Sequence, residues 1–172
     1  MFIESHVSIE FDEKGLAGFR MKWILDEMSG ASFIMDYDTN QDGQFSPRET
    51  AILKKEAFDN LKEYNYMSHV AIDGRAFEVE WVKDFSASIE DNKLVYHFFI
   101  PCHVTAIEQN KRIQMAVYDD TFFIDFAIKK EHVSFHNSDD YHHVFQLKKN
   151  LNKSYYFDQL HPLEIVLVFK KK

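Results

Sequence analysis

The sequence predicts a mainly β fold of the α+β class, an antiparallel β-sandwich with one inserted helix-loop-helix. Short segments rich in Val, Ile, Phe and Tyr recur along most of the chain and alternate with polar residues. Turn signals separate these segments at the short spacing of a sandwich, and one early stretch changes to helical periodicity. With 172 residues, 45% hydrophobic content and no evident linker, we expect a single domain over residues 1–172.

The chain opens with a predicted β-hairpin. Residues 2–11 and 15–25 alternate apolar and polar side chains, and the turn sequence DEKG lies between them. We therefore expect the first two strands to be antiparallel neighbours.

Two helices are predicted to follow the hairpin. Residues 27–37 lose the alternation and contain several small side chains, and residues 47–65 carry an apolar stripe at helical spacing. Ser46 can cap the second helix, a proline follows it, and Glu49 lies three residues after Ser46, as in a capping box. The helices and their connection form the predicted insertion, residues 27–65.

From residue 69 onward the pattern returns to strands. Turns such as Asp73-Gly74 and the sequence EDNK separate these segments. The predicted strands are 69–73, 76–82, 85–90, 93–101, 112–119, 122–128, 132–136, 142–147 and 163–169.

Composition and charge exclude several classes of protein. The net charge of −8 argues against nucleic acid as the main partner, because phosphate binding needs a concentrated basic face. A single cysteine, Cys102, excludes an internal disulfide and a thiolate metal cluster. The chain contains no apolar run of transmembrane length, so we expect no direct membrane insertion.

The connection between the two helices, DTNQDGQFSPRE at residues 38–49, has the ligand spacing of a calcium-binding EF-hand loop. Its acidic and amide side chains occupy positions 1, 3, 5 and 12, and a glycine at position 6 permits the sharp turn. Hard oxygen ligands and a bidentate Glu favour Ca²⁺ over Mg²⁺, and the absence of His and Cys from the loop argues against Zn²⁺. The predicted ligands of one Ca²⁺ are Asp38, Asn40, Asp42, Gln44 through its carbonyl, Ser46 and Glu49.

A competing interpretation is that this loop is only a good turn, with Glu49 completing a capping box. Turn chemistry explains Asp42, Gly43 and Ser46, but it does not explain why Asp38 and Asn40 occupy ligand positions of an EF-hand loop. We therefore favour a calcium site. Because switching EF-hands usually occur in facing pairs and only one loop is found here, we expect a structural rather than a regulatory ion.

Four segments of the chain resemble the DUF1007 family, a bacterial family of unknown function. The resemblance covers about residues 2 to 128, and the segments that carry it are 15–49, 57–70, 82–101 and 116–126. The family is described in general terms as a periplasmic component of an uncharacterised ABC-type transport system. The resemblance thus implies an exported, periplasmic protein whose partners are membrane transporter components.

Members of the family are similar in a further respect: the mature chain begins with a His-Pro-His stretch just before the first strand, and many are associated with nickel, cobalt or zinc transport genes. That stretch is absent here, and no signal peptide precedes the first strand. We expect Met1 to be a trimmed end. His6 lies close to where those histidines would be.

The nine histidines raise a second metal hypothesis, a site for Zn²⁺ or Ni²⁺. The alternative is that they are ordinary histidines of strands and loops, because no motif of known ligand spacing appears. The candidate ligands are His6, His132, His136, His142 and His143.

An enzyme is the alternative functional class, with a site built from strand ends near Asp119, Asp120 and Asp125. Cys102 and His103 are adjacent on a predicted strand, where neighbours point to opposite faces, so they do not form a nucleophile-base pair. No nucleophile elbow, P-loop or dinucleotide fingerprint occurs. We therefore expect a non-catalytic extracytoplasmic calcium-binding protein that serves metal or solute transport as an accessory or binding component.

Overall fold

A computed structural model describes all 172 residues. The two α-helices are α1 (Glu27–Tyr37) and α2 (Pro47–Leu53). The eleven strands are β1 (Phe2–Phe11), β2 (Gly15–Leu25), β3 (Ser68–Ile72), β4 (Arg75–Phe77), β5 (Lys83–Glu90), β6 (Lys93–Thr105), β7 (Lys111–Val117), β8 (Asp125–Ala127), β9 (Val133–His136), β10 (Tyr141–Lys149) and β11 (Leu163–Lys171). The mainly β prediction is confirmed. No helix has the length and apolar content needed to cross a membrane.

The strands form two sheets. The first has the order β5-β6-β2-β1-β8, with β9 also pairing with β1, and the second has the order β10-β11-β7-β3-β4. One cluster of 29 buried hydrophobic residues contains side chains of both sheets, so the sheets share a single core.

The pairing is antiparallel everywhere except along one edge of β1. There β8 and β9 run parallel to β1, one beside its beginning and the other beside its end. The antiparallel prediction is wrong at this edge, because the connections from β1 to β8 and β9 are long enough to cross over.

Strand β1 separates two environments. Ile3, Val7, Ile9 and Phe11 face the core, while alternate side chains on the other face are half-buried. The predicted hairpin is confirmed, with Ile3 opposite Leu25.

Helix α1 is tied to the start of the chain by its N-cap, Asp26. The carboxylate of Asp26 accepts hydrogen bonds from the Ser29 amide at 2.9 Å and from the Phe2 amide at 2.7 Å. These backbone donors, that of Ser29 above all, lower the pKa of Asp26 to about 2.

The predicted helix over 47–65 is regular only as far as Leu53. It continues as a π turn over Lys54–Phe58 and as 3₁₀ turns within Asp59–Met67, where a kink at Tyr64–Tyr66 leaves helical geometry. Because residues five apart lie on nearly the same face of a π turn, the change of geometry lets both Leu53 and Phe58 enter the core, where both are fully buried. Burial of these two side chains thus overrides the regular helical pattern.

The predicted strand 76–82 is also shorter than expected. Strand β4 ends at Phe77, and the segment beyond it is irregular. Val79 is buried in the core although it lies outside a strand, while Trp81 is 53% exposed, so the alternation identified a core contact without continued strand pairing.

Candidate metal-binding sites

The loop at 38–49 turns around the carboxylate of Asp38, the residue that follows α1. Asp38 is only 5% exposed. Its Oδ1 accepts a hydrogen bond from the Asp42 amide at 3.2 Å, and its Oδ2 accepts one from the Gly43 amide at 3.0 Å. Gly43 has φ +78°, a left-handed conformation that glycine adopts without strain.

The loop brings several side-chain oxygens to one place. The Asp42 amide lies 3.2 Å from Asn40 Oδ1 as well as 3.2 Å from Asp38 Oδ1. Asn40 Nδ2 in turn donates to Asp42 Oδ2 at 2.9 Å, and Asp42 Oδ1 accepts from the Gln44 amide at 2.9 Å. The side chains at positions 1, 3 and 5 of the loop are therefore mutually adjacent.

Glu49, in the first turn of α2, connects the two ends of the loop. Its Oε1 accepts from the Thr39 amide at 2.8 Å and the Thr39 hydroxyl at 2.7 Å. Its Oε2 accepts from the Ser46 amide at 2.9 Å and the Ser46 hydroxyl at 2.8 Å, and the Glu49 amide in turn donates to Ser46 Oγ at 3.2 Å. The predicted capping box is confirmed.

These hydrogen bonds hold the Glu49 carboxylate ionised. The bond from the Thr39 hydroxyl is the largest cause, followed by those from Ser46, and together they lower the pKa of Glu49 to about 2. A carboxylate has about four lone-pair positions, and four donors fill those of Glu49. A cation that took both oxygens of Glu49 would therefore have to displace Thr39 and Ser46.

The donor set of the loop fits a hard cation. Asp38, Asp42 and Glu49 contribute three carboxylates and Asn40 an amide oxygen, while the loop contains no imidazole or thiol.

A second group of ligand atoms lies on the half-buried face of β1. Glu4 Oε1, His6 Nε2 and a ring nitrogen of His132 lie within 4.8 Å of one another. Glu4 Oε1 is 2.7 Å from His6 Nε2 and 3.7 Å from His132 Nε2. The two imidazole rings stack at a centroid separation of 4.0 Å.

Strand pairing brings this group together. Glu4 and His6 are two residues apart on β1 and therefore share a face. His132 ends a short 3₁₀ turn immediately before β9, and the parallel register of Val7 with Val133 places it beside His6.

Two members of the group, His6 and His132, line a cleft of ≈ 250 Å³ together with His97 and Glu131. The His132 side chain is 10% exposed, and its Nδ1 is buried without a hydrogen-bond partner. The hydrogen bond from His6 is the largest cause that lowers the pKa of Glu4.

The other predicted histidines lie elsewhere. His136 is opposite Glu10 in the β1–β9 register, four residues beyond His132, which corresponds to about 13 Å along a strand. His142 and His143 lie on β10 in the second sheet, where His143 stacks on Phe135 at 4.2 Å. A single ion that contacts His6 and His132 cannot reach His136 at that distance.

The carboxylates of the enzyme alternative lie in different environments. Asp119 is 5% exposed, and its two oxygens accept hydrogen bonds from the Thr121 amide and hydroxyl and from the Ile124 amide. Asp120 and Asp125 are exposed. Asp119 therefore organises the turn before β8.

A comparison with known families identifies the chain. The model of the family described as "Protein of unknown function (DUF1007)" matches residues 1–158. The chain belongs to this family. The resemblance found in the sequence is thereby confirmed, and the match extends beyond residue 128.

Two curated relatives of this DUF1007 protein are themselves uncharacterised. The chain is 35% identical over 130 residues to the "Uncharacterized 15.5 kDa protein in trpE 3'region" of Spirochaeta aurantia, a match that covers 75% of this chain and 92% of the relative. It is 26% identical over 127 residues to an uncharacterized protein of Haemophilus influenzae, covering 72% of this chain and 59% of that protein. Neither name supports the description as a transport component.

Sequence reasoning did not identify Glu4, His97 or Glu131 as neighbours of the predicted histidines. One local signal was available, since Glu4 and His6 stand two residues apart in a strand pattern and must share a face. The approach of His132 depends on the parallel pairing of β1 with β9, which no local pattern encodes.

Proposed function

We propose that this DUF1007 protein is a non-catalytic calcium-binding protein whose loop 38–49 is an EF-hand holding one Ca²⁺. The observation that supports it is the convergence of Asp38 Oδ1 and Asn40 Oδ1 on the Asp42 amide, each at 3.2 Å, beside Gly43 in its left-handed conformation. Side-chain oxygens at positions 1 and 3 around a glycine turn are what an EF-hand requires.

Glu49 is the residue that changes partners in this proposal. In the protein without an ion its four acceptor positions serve Thr39 and Ser46. On binding, its carboxylate turns to the ion as the bidentate ligand at position 12, and the Gln44 carbonyl and Ser46 complete the shell. The ion then links the end of α1 to the start of α2 and stabilises the helix-loop-helix.

We also propose a cellular location and a partner for this protein. A lone structural site needs only the ~10⁻⁴–10⁻³ M affinity of extracellular calcium modules, so it suits a periplasmic protein. We further propose that the protein is an accessory or binding component of a metal or solute transporter. This part of the proposal rests on the general description of the family and not on a residue of this chain. No feature of the turn at Asp119 favours the enzyme alternative over this proposal.

The experiment is a calorimetric Ca²⁺ titration of the chelator-stripped full chain. We expect one saturable site in the wild type, its loss in Glu49→Gln, and its retention in the control Glu63→Gln, which changes an exposed carboxylate outside the loop. A folded wild-type protein without saturable binding up to millimolar Ca²⁺ would overturn the proposal. So would equal binding by the Glu49 variant.

A further inference from the structure

The group on β1 consists of ligands of a different kind from those of the loop. Glu4 Oε1 and the ring nitrogens of His6 and His132 lie within 4.8 Å of one another. We propose that these three side chains bind one divalent transition-metal ion, of the chemical class of Zn²⁺, at a site distinct from loop 38–49.

The donor set determines the class of ion. Imidazole suits Zn²⁺, Ni²⁺ and Cu²⁺, whereas Ca²⁺ and Mg²⁺ take oxygen ligands. Two imidazoles and one carboxylate are a recurrent set of three protein ligands for Zn²⁺, at bond lengths of about 2.0–2.2 Å. Glu4 Oε1 already lies 2.7 Å from His6 Nε2 and 3.7 Å from His132 Nε2. Because the two rings are stacked, they must also turn relative to each other so that a nitrogen of each points at one ion.

His132 provides an independent observation. Its side chain is nine-tenths buried, its Nδ1 has no partner, and its Nε2 lies 3.7 Å from Glu4 Oε1, beyond hydrogen-bond distance. A buried polar ring without hydrogen bonds carries a desolvation cost. A metal ion bound at Nε2 would give this ring one polar contact, while Nδ1 would carry the ring proton.

The charges around the group also favour a cation. Arg20 and Lys22 line the same cleft, but Arg20 is paired with Glu10 at 2.6 Å and Lys22 with Glu90 at 2.9 Å. Glu131 adds a further negative charge to the lining. With these two cations paired, Glu4 and Glu131 supply negative charge near the ion, and Lys129 is the further cation that acts on Glu4.

Three protein ligands leave a coordination position open. A four-coordinate ion held by Glu4, His6 and His132 keeps one position for water or for a group of another molecule. The cleft of ≈ 250 Å³ has room for such a group. The site therefore takes a bound metal ion accessible to a small ligand, unlike a closed structural site.

The experiment is a calorimetric Zn²⁺ titration of the chelator-stripped full chain in excess Ca²⁺, which keeps loop 38–49 from competing. We expect one Zn²⁺ per chain. Because loss of even an outer-shell partner weakens metal binding by about 10–100-fold, we expect Glu4→Gln and His6→Gln each to weaken it by at least that factor. The matched control is His136→Gln, an exposed histidine on β9 that lies opposite Glu10, and it should bind as the wild type does.

Two further measurements distinguish loss of this metal site from misfolding of a variant and from binding at loop 38–49. Co²⁺ bound to the wild type should show the visible absorption of a low-symmetry imidazole-carboxylate site, a readout that needs no variant to fold. Glu49→Gln should retain Zn²⁺ binding, which separates this site from the calcium proposal. Absence of a saturable Zn²⁺ site, or unchanged affinity in both Glu4→Gln and His6→Gln, would overturn the inference.

Discussion

The loop at 38–49 and the cleft at Glu4, His6 and His132 differ in how the chain assembles them. Every ligand of the loop lies within twelve consecutive residues, and most of its hydrogen bonds join residues two to five apart. The ligands of the cleft come from the first strand and from a turn late in the chain. The comparison teaches that a site encoded by spacing can be found in a sequence, whereas one created by strand pairing becomes visible only in the fold.

The largest expected effect tests whether the two sites are independent. Ca²⁺ at 100 times its Kd should raise the free energy of unfolding by about 2.7 kcal/mol, because the ion binds the folded chain and not the unfolded chain. The same increase is expected in His6→Gln, since His6 shares no hydrogen-bond partner with the loop, and none in Glu49→Gln. Denaturant unfolding with and without Ca²⁺ measures it. A reduced increase in His6→Gln would show that the sites are coupled.

An intermediate effect is expected from Thr39, which competes with the ion for Glu49. Thr39→Val removes the 2.7 Å hydroxyl bond to Glu49 Oε1 and should destabilise the ion-free protein by about 1 kcal/mol. Because Ca²⁺ binding no longer has to break that bond, the Kd should fall by about fivefold. Thr39→Ser keeps the hydroxyl and should restore both values. Weaker calcium binding in the valine variant would contradict the proposed exchange of partners.

The smallest expected effect is a dependence of stability on pH without Ca²⁺. The pKa of Glu49 is lowered to about 2 in the folded chain, so its hydrogen bonds contribute fully above the ordinary pKa of 4.5 and are lost as the pH falls from there toward 2. Denaturant midpoints between about pH 5.5 and pH 3 should therefore fall more steeply in the wild type than in Glu49→Gln. Parallel curves would mean that Glu49 is not held in this way.

Much of the fold was predictable because its signals are local. The hairpin was predicted from alternation, and the start of α2 from Ser46 and Glu49, which form the expected capping box. The end of α2 could not be predicted in this way. Burial of Phe58 against Trp23 and Phe98 favours a π turn, and no residue type in the sequence indicates such a turn.

The two candidate sites differ in the same way, because one depends on local signals and the other on long-range pairing. Asp38 and Asn40 were predicted neighbours and are close in the structure. His132 and His136 were both predicted as candidate ligands, but they lie about 13 Å apart along β9, while the pairing of β1 with β9 brings His132 close to Glu4. Spacing along a strand indicates on which face of the sheet a residue lies, but it does not indicate which residue lies beside it on the next strand.

The parallel pairing of β1 with β9 has a consequence for the order of folding. Strand β1 is synthesised first, yet Val7 pairs with Val133, and contacts so distant in sequence form slowly because a long loop must close. Until then one edge of β1 is open to pairing with other chains. The helix-loop-helix depends on contacts close in sequence and can organise early, whereas the cleft is complete only when the last part of the first sheet has docked.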